Sequence, residues 1–362
     1  MTPIPARAHP GIAPLIHRQQ GVLSSRQAAA HGLAHETLRQ RVLRGIWQRL
    51  LPGVYALQCG PPTWRQWLIG ALVYAGEGSM LTGPAALAEH DLLPPGARPG
   101  PPCIDILVPH RTRRQNVPAG RSAAGPPHPL DAPFPSSAPA LRITRATRLP
   151  APIGSGVLRL VPPARAIVDT CLAETRGGAD GQVETTAGHA LATNRVSLAD
   201  LEVELTRAPR RHSARLRHYL AEYRENVRAA AAQQLAAAVT TAVGPHERPL
   251  RDAAVYCGRS EVTRAAALWP SRAVAAVVDA PPHEVDSLQR LGFAVVQVTP
   301  QDVATDLPAV LRRIDSVLRE RPEATLPAGV AMLPGAQRVL TASSPARTGE
   351  SRVLPRGGAG QT

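Results

Sequence analysis

The stretch HETLRQRVLRGIWQRLLPGVYAL, from His35 to Leu57, constrains the fold more than any other. Leu38 and Val42, with Leu43 beside them, form an apolar stripe at helical spacing that must face inward. Gly45 ends that helix, and WQRLLPGVYAL then gives two apolar strands about a Pro52-Gly53 turn. A helix followed so closely by a ribbon commits the start of the chain to a mixed α+β unit. Upstream, IAPLIHRQQ predicts a first helix. SSRQAAAHG predicts a second, capped by Ser24 or Ser25 and followed by Gly32. Three short helices and a ribbon fill Gly11 to about Leu57, the pattern of a winged helix-turn-helix.

In that motif the second helix of the pair lies in the major groove. With Leu38 and Val42 inward, His35, Thr37, Arg39, Gln40, Arg41 and Arg44 are left for solvent or DNA. Arg bonds guanine bidentately and Gln bonds adenine, so these residue types suit groove reading. Gln48 and Arg49 open the ribbon, where a wing meets phosphates. The candidate DNA contacts are therefore Thr37, Arg39, Gln40, Arg41, Arg44 and Arg49. Residues 1–60 hold seven Arg against one acid, Glu36. The whole chain carries a formal +14, with 41 basic and 27 acidic residues and no Lys. Such a balance favours polyanion partners. A Lys-free, Ala/Arg/Pro-rich chain is also what a high-GC genome produces, so the charge counts mainly where it is concentrated. An ordinary small helical domain with a solvated arginine face is the alternative that these residues leave open.

Beyond the head, TWRQWLIGALVYAG and SMLTGPAALAEHDLL read as helices, and CIDILVPH as a strand. Residues 115–140 are Pro/Ala/Ser-rich and read as a mobile excursion. LRITRATRL and GVLRLVPPARAIVDTCLAE read as strands leading into a helix. Helical segments follow at 181–193 and 197–206, then a long Arg/Ala-rich one from His212 to Val243. In a last unit, RAVAAVVDA and GFAVVQVT read as buried strands flanking the helix EVDSLQRL, with LPAVLRRIDSVLRE as a closing helix. The sequence beyond Pro322 reads as disordered. The predicted domains are 11–60, 61–210 and 211–320, with a disordered tail at 321–362.

The head sequence resembles the N-terminal winged-helix domain of the abortive-infection type IV antitoxin (AbiEi) family, through GLAHETL, RGIWQRL and PGVYAL in that order. AALAEHDLLP, CIDILVPHRTRR and VPPARAIVDTC resemble the segments that follow that head, so the similarity runs through most of residues 11–320. The excursion at 115–140 departs from the pattern. The C-terminal stretch AAALWPSRAVAAVVDAPPHEVDSLQRLGFAVVQVTPQDV resembles the very-short-patch-repair endonuclease, which implies a restriction-endonuclease-like α/β domain. The resemblance keeps the frame and loses the chemistry. Ala266 stands where that pattern has its first Asp, Val277 where it has a Glu, Ala280 where it has a Gly and Gln297 where it has an Arg. Gln233 or Gln234 falls near the expected upstream Glu. Asp279 and His283 remain. Hydrolysis of this type holds Mg²⁺ between two or more carboxylates, and one Asp is a poor site.

Other chemistry finds little support. Cys59, Cys103, Cys171 and Cys257 stand far apart, without a CxxC pair, and read as reduced thiols. There is no HExxH, GxGxxG or P-loop, and Ser24 and Ser25 read as caps rather than nucleophiles. The run RAPRRHSARLRHYLAEYR reads as a solvated basic helix, with phosphate contact as its alternative. No signal peptide or membrane span is read. The expectation is a cytoplasmic DNA-binding regulator of antitoxin type, with double-stranded DNA and a cognate toxin as partners. No cofactor, catalytic residue or metal ligand is expected. A metal-dependent endonuclease with a divergent site, and a toxin-neutralising protein that does not bind DNA, are the alternatives.

Overall fold

The computed structural model describes residues 11–95, 103–119, 138–154, 156–177, 183–242, 248–327 and 329–334. Helices and sheets are mixed, and the chain divides into two compact units, Met1–Arg224 and Glu225–Thr362. The expected boundary at 210/211 falls at the start of a long helix, and the two units divide within that helix, between Arg224 and Glu225.

The first unit opens with α1 (Ile12–Arg18), β1 (Val22–Ser24), α2 (Ser25–Ala30), α3 (His35–Leu43), β2 (Gln48–Leu51) and β3 (Val54–Ala56). The strands form an antiparallel sheet in the order β1-β3-β2. Sequence reading missed β1. Three residues are too few to show alternation, and pairing with β3, Val22 opposite Ala56, makes the strand. Ser24 closes β1 and caps α2: its Oγ accepts the Gln27 N–H at 3.1 Å, and the Gln27 side chain accepts the Ser24 N–H at 3.0 Å.

The head sheet has two covered faces. Leu23, Tyr55 and Leu57 join Ile12, Ile16, Ala28, Leu38, Val42 and Trp47 in a core beneath the three helices. Val22, Leu50, Val54 and Ala56 join a second core with α4 (Trp64–Ala75). Gly70 permits that approach, since a Cβ there would lie 3.3 Å from Leu50 Cδ1. The sequence-based boundary at residue 60 therefore cuts through a shared core.

There follow β4 (Met80–Thr82), α5 (Gly83–Glu89), β5 (Cys103–Pro109), β6 (Ala140–Ala146), α6 (Pro163–Gly177), α7 (Val183–Ala192), α8 (Leu198–Arg207) and α9 (Arg210–Ala242). The sheet order is β4-β5-β6, with β4 antiparallel and β6 parallel to β5. The segment read as one helix from Ser79 onward starts as the buried strand β4 and becomes helical at Gly83. That glycine has φ +63°, and a Cβ on it would meet Asp105 Oδ2 at 2.9 Å. Asp169, in the VPPARAIVDTC motif, accepts the Thr82 hydroxyl at 2.7 Å and the Arg165 Nε at 3.0 Å. GVLRL, expected as a strand, makes only isolated bridges through Leu160 to Leu81 and Ile153. Of the 115–140 excursion, residues 120–137 lie outside the described residues, and Val117 is bridged to Leu141.

The second unit takes the C-terminal part of α9, with Ala231, Leu235 and Val239 buried. It continues with β7 (Leu250–Cys257), β8 (Ser260–Trp269), β9 (Val274–Val278), α10 (Pro282–Arg290), β10 (Ala294–Val298), α11 (Pro300–Thr305), α12 (Leu307–Glu320) and β11 (Val330–Leu333). The sheet order is β10-β9-β8-β7-β11, parallel between β9 and β10 and antiparallel elsewhere. α9 and α12 cover one face, and α10 the other. The β7–β8 hairpin was not anticipated. Its buried positions are largely alanines, which carry little strand preference of their own, so pairing and burial decide. β11 lies within the segment expected to be disordered. It adds to the β7 edge, with Met332 opposite Val255, and the pairing supplies an order its composition does not. Residues 335–362 lie outside the described residues. Among the described residues no helix is long and apolar enough to cross a membrane.

Candidate nucleic-acid interface

α3 is anchored by Leu38, 1% exposed, and Val42, as the stripe required. Leu43 departs from the expectation: it is 56% exposed. At about 100° per residue it lies a full side-chain direction away from Val42, and so leaves the stripe. The outward face is then Glu36, Gln40, Leu43 and Arg44, with Arg39 on one flank and Thr37 and Arg41 on the other.

Glu36 organises one side of this face. Its carboxylate accepts Gln40 Nε2 at 2.8 Å and pairs with Arg39 Nη1 at 3.2 Å. The Gln40 hydrogen bond, then the charge and hydrogen bond of Arg39, hold the carboxyl below its ordinary range. Arg39 and Gln40 are thereby held side by side, three and four residues on from their shared anchor. Arg41 lies elsewhere: its guanidinium stands 5.2 Å from the centroid of the buried Trp47 ring. A cation–π contact of that kind contributes about 0.5–1 kcal/mol, and it fixes the turn from α3 into β2. Arg44 is exposed at the C-cap, and Thr37 is half-buried at the first turn. Arg49, on β2, stands opposite Tyr55. Burial pushes the Tyr55 hydroxyl up, and the Arg49 charge offsets part of that.

The structure thus brings Arg39, Gln40 and Arg44 onto one accessible face, turns Arg41 toward Trp47, and sets Arg49 on the sheet. Leu43 is the residue that sequence reasoning missed. An exposed apolar side chain on a groove-facing helix suits the thymine methyl. Part of the basic run is occupied internally, while Arg210 and Arg211 at the start of α9 are exposed. Arg215 forms a fork with Glu184 at 2.6 and 3.1 Å, Arg224 pairs with Glu202, and Arg217 bonds Ser213 Oγ and the Leu205 carbonyl.

In the second unit the remnant residues do not converge on a metal site. Asp279 follows β9 at φ +46° and is exposed, as is His283 in the first turn of α10. Val277 is wholly buried and Ala266 nearly so. Gln297 is exposed and donates to the Ala280 carbonyl at 3.0 Å. Gln233 and Gln234 are exposed on α9, and the α9 residue that reaches the end of β9 is Arg228. It donates Nε to the Val278 carbonyl at 3.0 Å and approaches Glu284 at 3.9 Å. Thr263 donates to the same Glu284 carboxylate. A guanidinium beside β9 repels a divalent cation, and a buried valine offers it no ligand. These residues do not fit Mg²⁺. Among the described residues no group of three His, Cys, Asp or Glu side chains forms a metal cluster.

No curated protein matches the chain. The stretch from α1 through β3, residues 12–58, which contains all six candidate DNA contacts, matches the family described as transcriptional regulator, AbiEi antitoxin.

Proposed function

We propose that the protein is a DNA-binding transcriptional regulator of type IV antitoxin type. Its head is a winged helix-turn-helix, α3 is the groove-reading helix, and the second unit is a nuclease-like scaffold without cleavage activity. The observation that carries this reading is the outward face of α3, where Arg39, Gln40 and Arg44 stand accessible on a helix anchored by Leu38 and Val42. The element order α1-β1-α2-α3-β2-β3 and the sheet order β1-β3-β2 support the winged-helix reading. The family match over residues 12–58 supports transcription regulation and an antitoxin role.

A toxin-neutralising protein that leaves DNA alone would fit a neutral or acidic α3. Here Arg39, Arg41 and Arg44 outnumber Glu36. A divergent nuclease would fit carboxylates converging on Asp279, and Arg228 stands near there instead. A cytoplasmic location and a cognate toxin belong to the same reading.

The test is selection of bound fragments from random genomic DNA by the full chain. Deleting the head is a poor control, because it would uncover the α4 face that Val22, Leu50 and Val54 share. The double variant Arg39→Ala with Gln40→Ala is the better one. Enrichment of a common sequence by the wild type and its loss in the variant are expected. No enrichment by the wild type would overturn the reading.

A further inference from the structure

β5 and β6 run parallel, with Pro109 opposite Ala146, so the segments that follow both strands leave the sheet at one edge. Those segments are rich in arginine. His110, Arg111, Arg113 and Arg114 follow β5, while Arg145 is the penultimate residue of β6 and Arg148 lies just beyond it. The structure ties the two together. The His110 N–H donates to the Ala146 carbonyl at 2.9 Å. Arg145 donates to the carbonyls of Thr112 at 3.0 Å and Arg114 at 2.6 Å. The Arg114 guanidinium lies 5.1 Å from the centroid of the Tyr74 ring, whose hydroxyl donates to the Gln115 carbonyl at 3.1 Å. The edge is thus held by its backbone and by α4.

Arg111, Arg113 and Arg148 are exposed. Neither 109–119 nor 140–150 contains an Asp or Glu. Several other arginines of this unit are matched by carboxylates, Arg142 by Asp105, Arg165 by Asp169 and Arg215 by Glu184, whereas among the described residues no ion pair engages Arg111, Arg113 or Arg148. Three exposed arginines on a fixed edge, without a carboxylate partner among the described residues, make a site for an anion.

We infer that this edge is a second nucleic-acid contact, one that holds backbone phosphates irrespective of sequence. Guanidinium forks fit phosphate oxygens, and phosphate contacts position a protein without reading bases. An acidic protein partner would want an apolar centre to bury. The exposed large apolar side chains among the described residues are Leu43, Ile153, Val203, Val227 and Leu333, none of them within the two segments. The inference deepens the DNA-binding reading and rests on it for the choice of a double-stranded partner.

The experiment titrates the full chain against two labelled duplexes, the selected fragment and a scrambled one, over a range of salt concentrations. The variant carries Arg111→Ala, Arg113→Ala and Arg148→Ala together. Affinity for both duplexes should fall by the same factor, with the preference between them retained. The slope of log affinity against log salt should become shallower by about 2–3, from roughly 0.9 per phosphate contact. Arg39→Ala with Gln40→Ala should do the reverse, eroding the preference. If no preferred duplex exists, the α3 reading fails, and a drop by the triple variant on any duplex still supports the edge. Unchanged affinity and salt slope on both duplexes would overturn the inference. So would a loss confined to phosphatidylglycerol vesicles or to an acidic protein partner. Circular dichroism checks the fold. Should the triple variant not fold, Arg148→Glu alone decides by the same readout, a drop supporting the edge and no drop overturning it.

Discussion

Glu36 and Glu174 show how differently two carboxyls act in one chain. Glu36 is exposed, held ionised by Gln40 and Arg39, and serves to align them. Glu174, on α6, has Oε2 buried without a hydrogen-bond partner among the described residues. Burial, then the charge of Glu184, raises its pKa from 4.5 to about 7. Below 4.5 the group is protonated in the folded and unfolded chain alike. Between 4.5 and 7 the unfolded chain ionises while the folded chain keeps its proton, so stability falls as pH rises through that window. Glu184 escapes this because Arg215 bonds it and holds it below the ordinary carboxyl range. Glu174→Gln should remove that part of the pH dependence. In urea unfolding at about pH 5 and about pH 8, the variant should gain on the wild type at the higher pH and not at the lower. The same pH dependence in both proteins would contradict the assignment.

At the scale of elements, the head is a layered object. α3 and its partners cover one face of a three-stranded sheet and α4 covers the other, so both faces of that sheet are packing surfaces. Gly70 sits where α4 meets Leu50 and Val54. Gly70→Leu should overpack that contact and cost about 1–3 kcal/mol, seen as a lower urea midpoint with an unchanged slope. An unchanged midpoint would mean that the layer yields freely. The sequence showed α3, its inward Leu38 and Val42, a serine cap that it left open between Ser24 and Ser25, and the strands about Pro52-Gly53. Each rests on a local signal: periodicity, a capping serine or a turn dipeptide. It did not show β1 and β4, which are too short to alternate, or the β7–β8 hairpin, whose alanines become a strand only through pairing. Leu43 was misplaced because its neighbour Val42 is buried, although the helical turn carries it out. The roles of Arg41 and Arg228 depend on Trp47 and the end of β9, contacts that are remote from spacing rules.

For the whole molecule, binding and catalysis separate. The formal charge of +14 suits a polyanion partner, and the structure sorts the arginines into those spent on ion pairs and those left accessible. In the second unit Ala266 and Val277 lie in the core and Arg228 holds the end of β9. Purified protein with Mg²⁺ or Mn²⁺ should therefore leave plasmid, linear and mismatched DNA intact. Cleavage that disappears with Asp279→Ala would contradict this.

We propose that α3 reads DNA. Titration of the selected fragment and its scrambled counterpart with wild type, Arg39→Ala and Gln40→Ala decides whether it does. Each substitution should reduce the preference for the selected fragment by about 1–3 kcal/mol while leaving the folded state intact. Two folded variants that keep the full wild-type preference would contradict the account.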